Sequence, residues 1–221
     1  MEYANVTEGV FLSRPNRFIA EVSIDGRVER VHVKNTGRCS NVLKSGAEVA
    51  LQKSGNPDRK TAFDLIAVRD ERLGWVNLDS SAPNTVVREW LSEQALTLIK
   101  PEFTYGASRI DFYLEQGERK ILMEVKGCTL EYGGIGFFPD APTERGVKHL
   151  RELAGAAEKG FECYAAFVIQ MNGIREVKPN ARIHAEFAEE YERAVAAGVK
   201  PLFLECRVER DSLRIISTGV F

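Results

Sequence analysis

Residues 108–129 contain two short runs in which apolar and polar side chains alternate. An apolar residue occurs at every second position from 110 to 114 and again from 121 to 125, and Gly117 lies in the polar segment between them. Alternation with a period of two is typical of β-strands that bury one face, and a short segment with glycine is typical of a turn. The sequence therefore predicts an antiparallel hairpin here, and this hairpin limits how the rest of the chain can fold.

Three charged residues fall at one end of the predicted hairpin. Asp111 lies near the start of the first strand, and Glu124 and Lys126 lie near the end of the second. Because side chains at positions i and i+2 share a face, Glu124 and Lys126 should project together, opposite Met123 and Val125. In an antiparallel pair Asp111 comes close to them, so we expect two carboxylates and an ammonium group to converge.

The chemistry that this group predicts is metal-dependent phosphodiester hydrolysis. Two carboxylates held together repel each other unless a cation lies between them, and hard oxygen ligands favour Mg²⁺ or Mn²⁺. A metal bound by Asp111 and Glu124 would polarise a phosphate, and Lys126 could orient the attacking water. The alternative is that Glu124 and Lys126 form an ordinary ion pair on a solvent-exposed strand, with no catalytic role.

The first 80 residues contain strand-like segments and no long helix. About five such segments are spaced along this part of the chain, within residues 9–25, 28–33, 48–52, 63–68 and 75–78. This count and spacing predict a small barrel such as an OB-fold. Residues 79–83 have no apolar period and are rich in Ser, Ala and Pro, which predicts a boundary between domains at 1–80 and 81–221.

The remainder of the chain alternates helical and strand-like patterns. Helical periodicity begins near residue 84, where Asn84 or Ser81 can cap the helix, again after residues 141–143, and again over residues 186–197. Nearly continuous apolar runs at 161–171 and 201–208 are typical of strands covered on both faces. The sequence therefore predicts an α/β fold (α+β overall), in which a barrel precedes a mixed sheet with helices.

Charge and composition narrow the function class. The 221 residues carry a net charge of -2, but residues 1–60 have ten Lys or Arg against seven Asp or Glu, so the remainder is net negative. This division suits a protein that grips phosphates with its first part and binds a cation with its second. The four cysteines lack the spacing of a zinc site, so we expect reduced, mostly buried thiols. No glycine-rich nucleotide motif is present.

Targeting signals are also lacking in the sequence. It shows no apolar run of about 18 residues and no basic leader followed by an apolar stretch. We therefore expect no membrane insertion and a cytoplasmic location.

Five segments resemble the sugar fermentation stimulation protein A family. They are NTGR at 35–38, YGASRIDFYL at 105–114, MEVKGCTL at 123–130, FPDAPTERGVKHLREL at 138–153 and FVIQ at 167–170. The resemblance implies an OB-fold-like barrel followed by a domain similar to the PD-(D/E)xK nucleases. It also implies DNA binding and a role in regulating maltose metabolism. The nuclease motif falls on Asp111, Glu124 and Lys126, although Ile110 stands where the motif has Pro.

The resemblance also indicates accessory residues. Glu89 would match an extra acidic residue on the helix before the motif, and Gln170 a polar residue at the end of a later strand. His149 either contacts phosphate or lies on the surface of its helix, and we expect the surface position. Seven basic residues are predicted to bind nucleic acid, two near the cation site and five in barrel loops: Arg145 and Lys148, and then Arg14, Arg17, Arg38, Arg59 and Lys60.

Three hypotheses follow from the sequence. The first is a protein that binds nucleic acid, most directly DNA, and cleaves it with Mg²⁺ or Mn²⁺. The second is a DNA-binding transcriptional regulator of maltose metabolism that keeps the nuclease fold without turnover. The third, which rests only on the family's name, is a metabolic enzyme or a sugar-binding module. No motif distinguishes DNA from RNA or predicts an oligomeric state.

Overall fold

The computed structural model describes residues 1–35, 37–56 and 58–216, and its first part is a β-barrel. This part of the chain contains six strands, β1 (Val6–Asn16), β2 (Ile19–Ile24), β3 (Arg27–Val33), β4 (Glu48–Lys53), β5 (Phe63–Asp70) and β6 (Gly74–Asn77). Their order is β3-β2-β1-β4-β5-β6, and a parallel pairing of β3 with β5 closes the first five strands into a barrel. The prediction of about five strands is close, since the run at 9–25 holds parts of two strands, β1 and β2.

The second part is a mixed sheet with three helices and a smaller sheet beside it. Its first elements are α1 (Ala82–Ser92), β7 (Leu98–Tyr105), β8 (Ser108–Gln116), β9 (Arg119–Cys128), β10 (Leu130–Tyr132) and β11 (Ile135–Phe138). They are followed by α2 (Glu144–Ala157), β12 (Glu162–Ile169), β13 (Val177–Pro179), α3 (Ala185–Ala196), β14 (Lys200–Glu209) and β15 (Ser212–Ile215). The predicted fold class, an α/β (α+β overall) chain with a barrel before a mixed sheet and helices, is confirmed.

The large sheet has the order β15-β14-β12-β9-β8-β7. β8 pairs antiparallel with both β7 and β9, whereas β12 pairs parallel with both β9 and β14. The predicted hairpin is therefore present as β8 and β9, with Phe112 paired to Met123. Parallel pairing of β9 with β12 places the hairpin's second strand in the middle of the sheet, where both of its faces are covered.

Helices cover the sheet on opposite faces. On one face Met123 and Val125 pack in the same apolar cluster as Val87 and Trp90 of α1. On the other face Leu122 belongs to a cluster that contains apolar residues of α2 and α3. Because side chains alternate along β9, Glu124 lies on the same face as Leu122, beneath α2.

The barrel and the large sheet are joined through residues near the ends of β6 and β12. Val76 and Met171 form an isolated antiparallel bridge, and the Asn77 N–H donates to the Gln170 carbonyl at 3.0 Å. The Gln170 side-chain amide also donates to Asn77 Oδ1 at 2.8 Å and to the Asp79 carbonyl at 3.1 Å. These hydrogen bonds are buried, so they fix the barrel against the end of β12.

Two further observations concern the cysteines and the helices. All four cysteines are free and buried, as predicted for reduced thiols. Over residues 1–35, 37–56 and 58–216, none of the helices has both the length and the apolar character needed to cross a membrane.

Candidate active site

Asp111 lies against the strand that carries Glu124 and Lys126. Its Oδ2 accepts a hydrogen bond of 2.8 Å from the backbone N–H of Val125, and its Oδ1 accepts one of 2.9 Å from the side-chain amide of Asn84. Val125 is the residue between Glu124 and Lys126, so this bond holds the Asp111 carboxylate beside both of them. The structure thus brings together the three residues that the hairpin pattern predicted.

Glu124 is a buried carboxylate with two very different oxygen atoms. Only 3 % of the residue is exposed. Its Oε1 accepts a 2.6 Å hydrogen bond from Lys126 Nζ and also contacts His149 Nδ1. Its Oε2 is buried and has no hydrogen-bond partner among the described residues. An ionised oxygen left without a partner in the interior is costly, so this atom is a natural ligand for a cation.

The pKa values of the two carboxyl groups shift in opposite directions. Burial raises the pKa of Asp111, and the nearby negative charge of Glu124 raises it further. Burial also works to raise the pKa of Glu124, but the Lys126 ammonium and the His149 ring outweigh it and leave that pKa below its usual value. At neutral pH Glu124 is therefore ionised, and a cation between the two carboxylates would relieve their repulsion.

The donor set of the site fits a hard divalent cation. Asp111 and Glu124 offer only carboxylate oxygens, which Mg²⁺, Mn²⁺ and Ca²⁺ prefer over nitrogen or sulfur ligands. The partnerless Oε2 of Glu124 is the observation that supports this fit. The alternative of an exposed ion pair between Glu124 and Lys126 does not match the structure, because Glu124 is buried and Lys126 only partly exposed.

A second group of possible metal ligands lies at the start of α2 and α3. It consists of Glu144, His184 and Glu186. His184 Nδ1 already accepts a hydrogen bond from the Thr143 N–H at 3.3 Å, and Glu186 pairs with Arg151 at 2.8 Å. Both glutamates are exposed, so we assign no metal to this group.

The expected surface position of His149 is wrong. The residue is 3 % exposed, and its ring lies between α2 and the sheet, against Glu124. Its Nε2 lies 3.3 Å from Nε of Arg145, one helical turn earlier. The neighbouring Lys148 is exposed, so one step along α2 turns the side chain from solvent to the interior.

A cleft of about 570 Å³ opens beside this histidine. Its lining residues come from the β7–β8 turn and from α2: Ala107, Ser108, Arg109, Glu144, Arg145, Lys148 and His149. Lys148 Nζ donates to the Ala107 carbonyl at 3.0 Å and so connects the two walls. Arg145 and Lys148, both predicted to bind phosphate, are exposed at this cleft next to Glu124's partner.

Two predicted accessory residues have other partners. Glu89 is exposed on α1, and its carboxylate pairs with the N-terminal ammonium at 2.6 Å. Asn84, five residues earlier on α1, is the helix residue that reaches Asp111, so we correct the expectation for Glu89. Gln170 is buried and its side-chain amide is bonded to Asn77 and Asp79, which gives it a role between the two sheets.

Asn84 is the site residue that sequence reasoning missed. Its position before an apolar helical stripe indicated a helix cap. Ser81, the other predicted cap, occupies the cap position, and Asn84 lies within α1 with its amide directed at Asp111. A polar side chain at the predicted helix start was thus visible in the sequence. Its partner, Asp111, could not be identified until the position of α1 on the sheet was known.

The five basic residues of the barrel that were predicted to bind nucleic acid differ in whether their side chains already have partners. Arg14 donates to four backbone carbonyls, of Arg17, Asn35, Gly37 and Arg38, at 2.6–2.8 Å. We therefore correct the expectation that Arg14 is free to bind phosphate, because its terminal nitrogens hold the surrounding loops together.

The remaining barrel cations differ in their availability. Arg59 forms an ion pair with Asp64 at 2.6 Å, whereas Arg17, Arg38 and Lys60 are exposed and show no ion pair among the described residues. Arg17 and Arg38 line a cleft of about 640 Å³ between the barrel and the segment that leads into α2. The apolar part of this lining includes Leu43 and Pro142.

Comparisons with known proteins found matches that together cover nearly the whole chain. The family described as "Sugar fermentation stimulation protein RE domain" matches residues 81–212, and the "SfsA N-terminal OB domain" matches residues 12–78. A sugar fermentation stimulation protein homolog of Desulfitobacterium hafniense is 54% identical over 217 residues, which are 96% of this chain and 94% of the relative. A Clostridium beijerinckii homolog is 50% identical over 220 residues, 97% of this chain and 96% of the relative.

Among solved structures, Pyrococcus furiosus SfsA in complex with Ca²⁺ is similar along nearly its full length. The TM-score is 0.85 at 27% identity, with 98% of this chain and 95% of that chain covered. The two parts of the present fold therefore occur together, in the same order, in that protein.

Proposed function

Because this chain belongs to the sugar fermentation stimulation protein family, we propose that it is a DNA-binding protein that cleaves phosphodiester bonds with a divalent cation. The observation that carries the proposal is the buried, partnerless Oε2 of Glu124, a carboxylate whose negative charge acts on nearby Asp111. The Ca²⁺ in the complex of Pyrococcus furiosus SfsA supports a cation of the hard, oxygen-binding class. We propose Mg²⁺ or Mn²⁺ as the working ion.

Asp111 and Glu124 would hold the cation. Asp111 is fixed by the Val125 N–H and by Asn84, and Glu124 by Lys126 and His149, so neither carboxylate has to reorganise on binding. Groups that are already oriented stabilise charge without a cost of rearrangement. A divalent cation supplies Lewis acidity toward the phosphate and balances the negative charge that develops as the bond breaks.

Lys126 would orient the attacking water. One of its three ammonium hydrogens is directed at Glu124 Oε1, and the group is partly exposed, so two hydrogens remain for a water or a phosphate oxygen. The same ammonium group would stabilise negative charge on the phosphate. The nearby Arg145 and Lys148 supply further positive charge along the cleft for the nucleic-acid backbone.

The barrel, residues 1–80, would grip the strand. Arg17 and Arg38 are exposed cations on the cleft that faces the segment entering α2, and Lys60 adds a third exposed cation on the barrel. OB-folds commonly bind oligonucleotides through their loops and one face. Pro142 of this cleft and Arg145 of the catalytic cleft are only three residues apart, so one strand could contact both.

A cleavage assay tests the catalytic proposal. Purified protein is incubated with single-stranded and duplex DNA and RNA, with Mg²⁺, with Mn²⁺ and with chelator. We expect metal-dependent cleavage that is lost in Asp111→Ala and in Lys126→Ala and kept in Lys120→Ala, which removes an exposed lysine at the other end of β9. If the wild-type protein cuts none of these substrates with either metal, the catalytic proposal is wrong.

A second candidate is a non-catalytic DNA-binding regulator, with maltose metabolism as its proposed target. The observation that favours it is that Lys126 Nζ and His149 Nδ1 both contact Glu124 Oε1, which already compensates the charge of this carboxylate. Such a protein would bind DNA with a steep salt dependence, and Asp111→Ala and Lys126→Ala would leave the affinity nearly unchanged.

Crystals soaked in Mn²⁺ separate the two candidates. Anomalous density between Asp111 and Glu124 is expected for the nuclease. If the Glu124–Lys126 pair persists with no such density at saturating Mn²⁺, the regulator is the better assignment. A cytoplasmic location remains a prediction for either candidate.

A further inference from the structure

His149 is buried, and both of its ring nitrogens lie close to polar partners. Nδ1 contacts Oε1 of Glu124, and Nε2 lies 3.3 Å from the Nε of Arg145. An arginine guanidinium can only donate hydrogen bonds, so Nε2 must be the acceptor and must carry no proton. The contact with Glu124 is then a hydrogen bond that the Nδ1–H donates to Oε1.

The consequence for Glu124 is a fixed carboxylate. Its Oε1 receives one donor from the strand, Lys126, and one from the helix, His149. A rotation of the carboxylate would break both hydrogen bonds within a buried environment, where such a loss is costly. The two donors therefore fix the carboxylate through Oε1 and leave its buried Oε2 without a hydrogen-bond partner among the described residues.

Arg145 completes this arrangement from the surface. It lies four residues before His149 on α2, so the two side chains are neighbours on the same face of the helix. Its Nε is the atom near His149, and its two terminal nitrogens form no hydrogen bond or ion pair among the described residues. Arg145 thus sets which nitrogen of His149 is protonated while its outer nitrogens remain at the cleft.

We propose that His149, held in its Nδ1–H form by Arg145, is a positioning residue that orients Glu124 for the divalent cation. This inference rests on the proposed function of the same site. It assigns no direct contact between His149 and metal or substrate. Loss of a histidine that hydrogen-bonds to a metal-ligating carboxylate typically weakens metal binding by about tenfold to a hundredfold.

Calorimetric titration with Mn²⁺ alone tests the inference without any measurement of cleavage. The informative pair is His149→Asn and His149→Leu, because the two side chains have nearly the same shape and only Asn can donate to Glu124. We expect the Kd for Mn²⁺ to rise about tenfold or more in His149→Leu and to stay within about threefold of wild type in His149→Asn. His184→Leu, which removes a partly buried histidine with no contact to Glu124, is the matched control and should leave the Kd unchanged.

The outcomes separate this inference from the proposed function. If the wild-type protein binds no Mn²⁺, the proposed function fails and the inference fails with it. If wild type binds Mn²⁺ and the Leu and Asn variants bind it equally well, the inference alone is wrong. A thermal melt of each variant shows whether it is folded.

A measurement on the wild-type protein keeps the inference testable if His149→Leu does not fold. A ¹⁵N–¹H correlation spectrum of the histidine side chains reports which ring nitrogen carries the proton. A neutral His149 protonated on Nδ1 supports the inference. A ring protonated on Nε2 overturns it, because Arg145 would then have no acceptor and Glu124 would have lost its donor.

Discussion

The side-chain amide of Asn84 donates a hydrogen bond of 2.9 Å to Oδ1 of Asp111. Asn84 lies in the first turn of α1 and Asp111 in β8, so this bond connects the helix that follows the barrel to the charged end of the hairpin. It also satisfies the carboxylate oxygen that the Val125 N–H does not reach. The geometry of the candidate active site thus depends on where α1 begins.

Replacing Asn84 by alanine should change the pH dependence of metal binding. The amide stabilises the ionised form of Asp111, whose pKa is already raised by burial and by the charge of Glu124. Without the amide that pKa should rise further, so the pH at which Mn²⁺ binding is half-maximal should move upward. Calorimetric titrations at a series of pH values measure this. Thr85→Ala, on the same helix turn, is the control, and an unchanged pH profile in Asn84→Ala would contradict the prediction.

Replacing Asp111 by asparagine should stabilise the metal-free protein at neutral pH while abolishing metal binding. Asp111 has a higher pKa in the folded protein than in the unfolded chain. Such an acid lowers the free energy of unfolding as the pH rises from its unfolded-state pKa, about 3.9, through its folded-state pKa. Asn cannot ionise, so the gain should be present above that pH window and absent below it. Thermal melts with chelator at pH 7 and near pH 3 measure the difference. An Asp111→Asn protein that melts at a lower temperature than wild type at pH 7 would refute the argument.

Replacing Gln170 by methionine should destabilise the joint between barrel and sheet. The amide donates to Asn77 and to the Asp79 carbonyl in a buried environment, and methionine keeps most of the volume but cannot donate. Leaving buried acceptors without a donor costs about 1–3 kcal/mol. Urea unfolding measures the loss, with Gln52→Met on the barrel exterior as the control. Equal stability of the two variants would show that Gln170 is not important for the joint.

Replacing the exposed barrel arginines should weaken DNA binding in a salt-dependent way. Arg17→Met and Arg38→Met should each lower affinity and reduce the slope of log K against log salt by about 1, whatever the sequence bound. Fluorescence anisotropy of labelled oligonucleotides over a salt series measures both quantities. Arg88→Met, on the exposed side of α1, should change neither.

Arg14→Met separates a structural arginine from a binding one. Because Arg14 holds four backbone carbonyls, its loss should lower the melting temperature. A variant as stable as wild type but with reduced DNA affinity would restore the sequence-based expectation for this residue.

The hairpin and its charged end could be predicted because their geometry is local. Alternation along β9 decides which side chains share a face, so the pairing of Glu124 with Lys126 needs no knowledge of distant elements. The position of Asp111 follows from the antiparallel turn. The short strands β10 and β11 were not predicted, because they are only three and four residues long and their turn uses Gly133 and Gly134 with positive φ.

The partners of the site could not be predicted because they depend on how the helices dock. Lys148 and His149 are adjacent and both polar, yet one is exposed and the other is buried against Glu124. Helical periodicity gives the apolar stripe of α2 but not the strand residue that lies beneath it. The same limit applies to Asn84, whose side chain reads as a cap until α1 is placed over the sheet.

The closure of the barrel rests on a short seam. Strands β3 and β5 pair over two positions only, His32 with Asp64 and Val33 with Leu65, whereas β2 and β3 pair over six. Opening a seam of this length breaks few backbone hydrogen bonds, so it requires less free energy than separating the longer ladders. Amide hydrogen exchange in the barrel should therefore be fastest along this seam. We expect β3 and β5 to separate before β1 separates from β2 or β4.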